Sequence, residues 1–108
     1  MARTVAVTDA TFKAEIYESV KPVLVHFGAT WCEPCTVMAP ALAALAQERE
    51  RVLKVASIDV DSNAASAASF GVHDVPTLIL FKNGRPATRV VGSRTKDQLM
   101  EIVTPHLF

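Results

Sequence analysis

The sequence predicts an α/β fold: a mixed sheet with helices on both faces. Three observations predict it. Strand-like and helix-like stretches alternate through the first part of the chain, which implies parallel strands joined by right-handed crossovers. An Asn83-Gly84 pair between two strand-like runs marks a tight antiparallel hairpin. The run 23–27 is apolar apart from His26, as expected of a central strand covered on both faces.

The elements follow in the order β-α-β-α-β-α-β-β-α. Residues 4–7 alternate weakly and read as a first strand. Thr8 or Asp9 offers a cap for a helix over 10–20, with Phe12, Ile16 and Val20 at a spacing of four on one face. Lys21-Pro22 ends it, and 23–27 is the central strand. A long helix runs from about Cys32 or Pro34 to Arg49. Pro40 inside it removes a backbone donor and predicts a kink. Residues 52–60 form the next strand, with Asp59 and Asp61 at its end. Residues 62–70 form a short Ala/Ser helix closed by Gly71. Residues 77–81 and 87–91 are the hairpin strands, and Gly92 breaks the second. Thr95 caps a last helix reaching about Leu107, with Leu99, Ile102 and Val103 facing inward. Pro105 distorts its final turn.

The 108 residues are read as a single domain, 1–108, large enough to bury a core without staples. Lys plus Arg and Asp plus Glu both number 11, so the net charge is zero and a nucleic-acid surface is not expected. No apolar stretch is long enough to span a bilayer. The N-terminus has no long apolar segment, so a secretory leader is not expected and the default compartment is cytoplasmic.

The chemistry is concentrated in Trp31-Cys32-Glu33-Pro34-Cys35, which holds both cysteines of the chain. The pair lies where the central strand gives way to the long helix. Pro34 suits the first helical turn, where its missing N–H costs nothing. Cys32 then sits at the helix start, where free N–H groups and the positive dipole end stabilise a thiolate. In such motifs a thiol pKa falls from about 8.5 towards about 7. Cys35 lies one turn further on the same face and is expected to be the more buried. Thiol–disulfide exchange follows: Cys32 attacks a target disulfide, and Cys35 resolves the mixed disulfide. Two plainer readings stand beside this one. A structural disulfide closing so small a loop would add only ~2 kcal/mol. Half of a zinc site would need a second pair of ligands, and His26, His73 and His106 are scattered.

At this point the chain resembles the thioredoxin family over nearly its whole length. The resemblance rests on Trp31-Cys32-x-Pro34-Cys35, on Val75-Pro76-Thr77, on Phe81-Lys82-Asn83-Gly84 and on Val91-Gly92. It implies the thioredoxin fold, a central mixed five-stranded sheet flanked by four helices. It also implies a protein-disulfide reductase with Cys32 and Cys35 catalytic and no bound cofactor. Electrons would come from NADPH through a flavoprotein, thioredoxin reductase. The partners would be that reductase and disulfide-containing proteins, met by a monomer. The resemblance further implies that Pro76 is cis. From the residues alone, Pro76 reads better as a trans proline starting an edge strand. Trp31, Val75, Pro76, Val91 and Gly92 would form an apolar docking surface, although Trp31 also reads as a half-buried packing aromatic.

The chain departs from the family pattern in four places. Glu33 stands where glycine is usual, and its charge should raise the Cys32 pKa by a small electrostatic effect of about 0.5–1 kcal/mol. His26 replaces a buried acid, and Ser57 replaces that acid's usual lysine neighbour. His26 either handles the proton of Cys35 or is a core histidine bonded to Ser57. Thr36 replaces a common lysine or arginine, and Asp74 replaces a small residue. Together with Glu33 they predict an acidic rim and a preference for basic or neutral substrates. Gly28 replaces a common aromatic, so packing beside the site should be looser. Two other classes share this fold. An oxidase or isomerase of similar fold often carries histidine between its cysteines. A non-enzymatic binding module would have no use for Cys32, Cys35, Pro76 and Gly92 together.

Overall fold

The computed structural model describes residues 3–108. Met1 and Ala2, on which part of the leader reading rests, lie outside the described residues. The architecture is organised around β2 (Val23–Gly28), which is buried at every position. It pairs in parallel with β3 (Lys54–Asp59) and antiparallel with β4 (Thr77–Lys82). Beyond β3 lies β1 (Val5–Val7), parallel to it; beyond β4 lies β5 (Arg85–Val91), antiparallel to it. The order β1-β3-β2-β4-β5 is the mixed five-stranded sheet that the sequence predicts.

Alternation along β2 splits the core in two. Leu24 packs with Met38, Leu42 and Leu45 of α1 (Glu33–Glu48) and with Leu99 and Val103 of α3 (Lys96–Val103). Val23, Val25 and Phe27 pack on the opposite face with Phe12, Ile16 and Phe81. Replacing a fully buried leucine such as Leu45 with alanine would cost about 2–5 kcal/mol. His26 and Gly28 share the parity of Leu24, so they face the side covered by α1.

Local signals explain most element boundaries. Helix α2 (Ala64–Ser69) ends with Val72 N–H donating to Ala67 O and Gly71 N–H to Ala68 O. Gly71 at φ 61° takes the left-handed position that this double-bonded end requires. Asn83 (φ 54°) and Gly84 (φ 76°) form the tight hairpin turn. Thr95 caps α3 in a reciprocal arrangement with Gln98. The final turn, Thr104–His106, is 3₁₀, as Pro105 predicts. Pro86 sits on the exposed edge strand, beside an irregularity opposite Leu80 and Phe81, where it disrupts no central ladder.

Three expectations are corrected. The first helix is only a π-helical turn, Lys13–Tyr17. The wider winding carries Val20 off the Phe12–Ile16 line, and Val20 is 99% exposed. Asp9 does not cap that turn: its carboxylate accepts from the backbone N–H groups of Ala65 and Ser66 and from the Ser66 hydroxyl, serving the start of α2 instead. Ile102 is only partly buried, because the inward face of α3 narrows to Leu99 and Val103. Helix α1 remains continuous through Pro40.

Candidate active site

The path from β2 into α1 builds the site. After Gly28 the chain turns, with Cys32 N–H donating to Ala29 O at 3.1 Å. Cys32 is extended (φ −86°, ψ 105°) and caps α1, with Pro34 in the first turn. The free N–H of Cys35 donates to Cys32 Sγ at 3.2 Å. Sulfur thus takes the place usually held by a capping oxygen, and a negative charge there gains from both the hydrogen bond and the helix dipole. Cys32 and Cys35 are joined in a disulfide, with their Cα atoms 5.3 Å apart. Their burial does not distinguish them: Cys32 is 3% exposed and Cys35 6%. Cys35 is therefore not the more buried, contrary to expectation: both sulfurs are closed off from solvent while joined in the disulfide.

Strand register brings the other motif residues to the same end of the sheet. Phe27 pairs with Thr77, and Thr77 pairs with Val91. Pro76 therefore follows Gly28's end of β2, and Gly92 N–H donates to Pro76 O at 2.8 Å. The Val75–Pro76 bond is cis, as the resemblance implies and the residues alone did not. Pro76 is buried, Val75 partly buried and Asp74 exposed. The Thr77 hydroxyl donates to Asp74 O at 2.5 Å and ties this loop together.

Trp31 is 70% exposed, which excludes the half-buried packing role. Its Nε1–H donates to Asp61 Oδ2 at 2.8 Å. Asp61 was not singled out for the site. The available signal was its place after β3, a parallel strand whose C-terminal end faces the same loops as β2. Arg94 was missed altogether. Its guanidinium folds back onto Val91 O and Ser93 O, beside Gly92. Arg94 therefore places a cation beside Gly92 that the acidic-rim expectation does not include, while Glu33 and Asp74 are exposed.

Behind the disulfide lies a pocket of about 290 Å³ lined by His26, Gly28, Cys35, Ser57 and Asp59 among others. His26 is 7% exposed, and its Nε2 is buried with no hydrogen-bond partner. Ser57 lies opposite His26 in the ladder, but the expected bond between their side chains is not formed. Burial pushes the His26 pKa down, so the ring is neutral at neutral pH. Among the described residues no group of three or more histidine, cysteine or acidic side chains is arranged to hold a metal ion.

A disulfide at a helix start, at the carboxyl end of a central parallel strand and beside a cis-proline loop, defines a thiol–disulfide oxidoreductase. The redox group is the cysteine pair itself. The sequence model of the thioredoxin family matches residues 3–105, and the chain belongs to that family. It is 50% identical to a thioredoxin of Mycobacterium tuberculosis over 97 residues, which is 90% of this chain and 84% of that one. It is 42% identical to thioredoxin 1 of Synechococcus elongatus over 107 residues, covering 99% of this chain and 100% of the relative. It is also 48% identical to part of a bifunctional thioredoxin reductase/thioredoxin of Mycobacterium leprae, covering 90% of this chain and 21% of that protein. The chain is a protein-disulfide reductase of the thioredoxin type. No helix among the described residues is long and apolar enough to cross a membrane.

Proposed function

We propose that this chain reduces disulfides in other proteins with Cys32 as nucleophile and Cys35 as resolving thiol. The observation that carries the assignment is the Cys35 N–H donating to Cys32 Sγ, which favours negative charge on that sulfur alone. In the reduced protein the Cys32 thiolate attacks a target disulfide and displaces one target thiolate. The Cys35 thiol passes its proton to His26 Nε2, directly or through one water in the pocket. The Cys35 sulfur then attacks Cys32, the Cys32–target bond breaks, and the second target sulfur leaves. The target gains two electrons, and the Cys32–Cys35 disulfide closes.

Trp31, Val75, Pro76, Val91 and Gly92 form the docking surface, with Glu33 and Asp74 selecting basic or neutral targets at its rim. Pro34 sets the helix start, and Pro76 shapes the groove. Electrons return from NADPH through a flavoprotein thioredoxin reductase. The fusion named in the Mycobacterium leprae relative supports that partnership. The chain acts as a single-domain monomer in the cytoplasm.

Trapping separates the roles of the two sulfurs. Reduced Cys35→Ser should accumulate a covalent mixed disulfide with an oxidised protein such as insulin, whereas Cys32→Ser should not. Accumulation by Cys32→Ser alone would reverse the assignment.

A further inference from the structure

Gly28 has an ordinary backbone conformation, and it is buried at the end of a central strand. Glycine there carries an entropic cost and supplies no packing. Its backbone does not require it. The space above its Cα does. A Cβ at this position would lie 2.9 Å from His26 Cε1, 3.2 Å from His26 Nε2 and 3.2 Å from Cys35 Sγ. The Cε1–Nε2 edge of the imidazole and the sulfur of Cys35 therefore converge on one point, the place a side chain would occupy. Strand geometry explains the convergence. His26 and Gly28 are two residues apart and so project on the same face, and Cys35 descends onto that face from the first turn of α1.

We propose that Gly28 is a positioning residue that lets the His26 imidazole lie against Cys35 Sγ. The inference rests on the proton role given to His26 above. Cys35, from α1, and Asp59, at the end of β3, are the ionisable groups that share the pocket with the ring. Ser57 and Thr36 line it without carrying charge. The buried Nε2 has no protein partner, so the acceptor is free for the thiol proton or for a bridging water. A methyl group at 28 displaces the ring from the sulfur. The looser packing expected of Gly28 thus takes a definite form: the space that a larger side chain would fill is shared by a base and the thiol it serves.

The test uses a mixed disulfide between Cys32 and thionitrobenzoate, and it follows release of the coloured thiol as Cys35 resolves it across the histidine titration range. In the wild type the rate should fall as pH drops through a value below the ordinary histidine range. His26→Ala should lose that inflection. Gly28→Ala should lose it too, with a rate at neutral pH lower by roughly tenfold. Loss of the inflection in His26→Ala but not in Gly28→Ala would overturn the role of Gly28 and leave that of His26 standing. An inflection intact in His26→Ala would overturn both. If Gly28→Ala is too unstable for kinetics, the stability of the double variant with His26→Ala decides. Truncating the ring removes the closest clash, so the double variant should unfold at a higher denaturant midpoint than Gly28→Ala. A midpoint no higher would overturn the inference.

Discussion

The indole of Trp31 is held at the rim of the active site by Asp61, across a 2.8 Å hydrogen bond from Nε1 to Oδ2. Asp61 is itself oriented, its N–H donating to Asp59 Oδ1 at 2.9 Å. In the docking role proposed for it, an aromatic that is 70% exposed and fixed at one end would be ordered before a target arrives. Asp61→Ala should therefore lower kcat/KM for insulin reduction by about fivefold, corresponding to about 1 kcal/mol for an exposed hydrogen bond. Stability should change by less than about 0.5 kcal/mol, as expected for a surface site. Trp31 is the only tryptophan, so its fluorescence anisotropy should report the freed indole directly. Unchanged anisotropy would show that the bond does not restrain the ring.

His26 should make folding stability depend on pH. Burial lowers its folded pKa below the ordinary value of 6.5, so the unfolded chain takes up the proton first as pH falls. The stability contributed by the neutral ring is present above 6.5 and is lost as pH falls from there towards the folded pKa. Urea denaturation of the wild type should show this decline, and His26→Gln should flatten it. A parallel decline in both proteins would assign the effect to other groups.

Glu33 should make the protein more reducing than it would be with glycine. A carboxylate beside the Cys32 thiolate destabilises the reduced state, so Glu33→Gly should raise the reduction potential by roughly 10–20 mV. Redox equilibration against glutathione measures this. The shift should shrink as salt rises, because Glu33 is exposed.

Two glycines with positive φ should differ in their tolerance of alanine. At Gly71 (φ 61°) a Cβ meets nothing within 4 Å, so only the left-handed backbone is penalised, by about 1 kcal/mol. At Gly84 (φ 76°) the Cβ also comes within 3.1 Å of Tyr17 O, and alanine should cost about 2–3 kcal/mol. Urea midpoints of the two variants, measured side by side, test the ranking.

Asp9 links the first loop to α2. Hydrogen bonds from Ser66 hold its pKa below 3.8, so its contribution is present above that value and lost as pH falls through the folded pKa. Asp9→Asn should lower the denaturation midpoint at neutral pH, and the difference should narrow in acid. A constant difference would exclude the charged hydrogen bonds as its source.

Much of this protein is legible residue by residue, because the signals involved are local. The Asn83-Gly84 turn, the Thr95 cap, the Gly71 stop and the placement of Cys32 ahead of Pro34 each depend on a few neighbouring backbone groups. So does the chemistry of the cysteine pair, since a helix start stabilises a thiolate wherever it lies in the fold. Tertiary structure decided what depends on partners distant in sequence. Asp9 serves a helix some fifty residues on, and Trp31 is fixed by Asp61. Arg94 folds back onto Val91 O and sets a cation beside Gly92. Val20 leaves the core because a π-helical turn breaks its period. Above all, nothing local in the sequence places His26, Gly28 and Cys35 in one pocket; only the family resemblance links His26 to Cys35. They line one pocket only because β2 pairs centrally and α1 sets its first turn on the face that His26 and Gly28 share, which is a property of packing between elements.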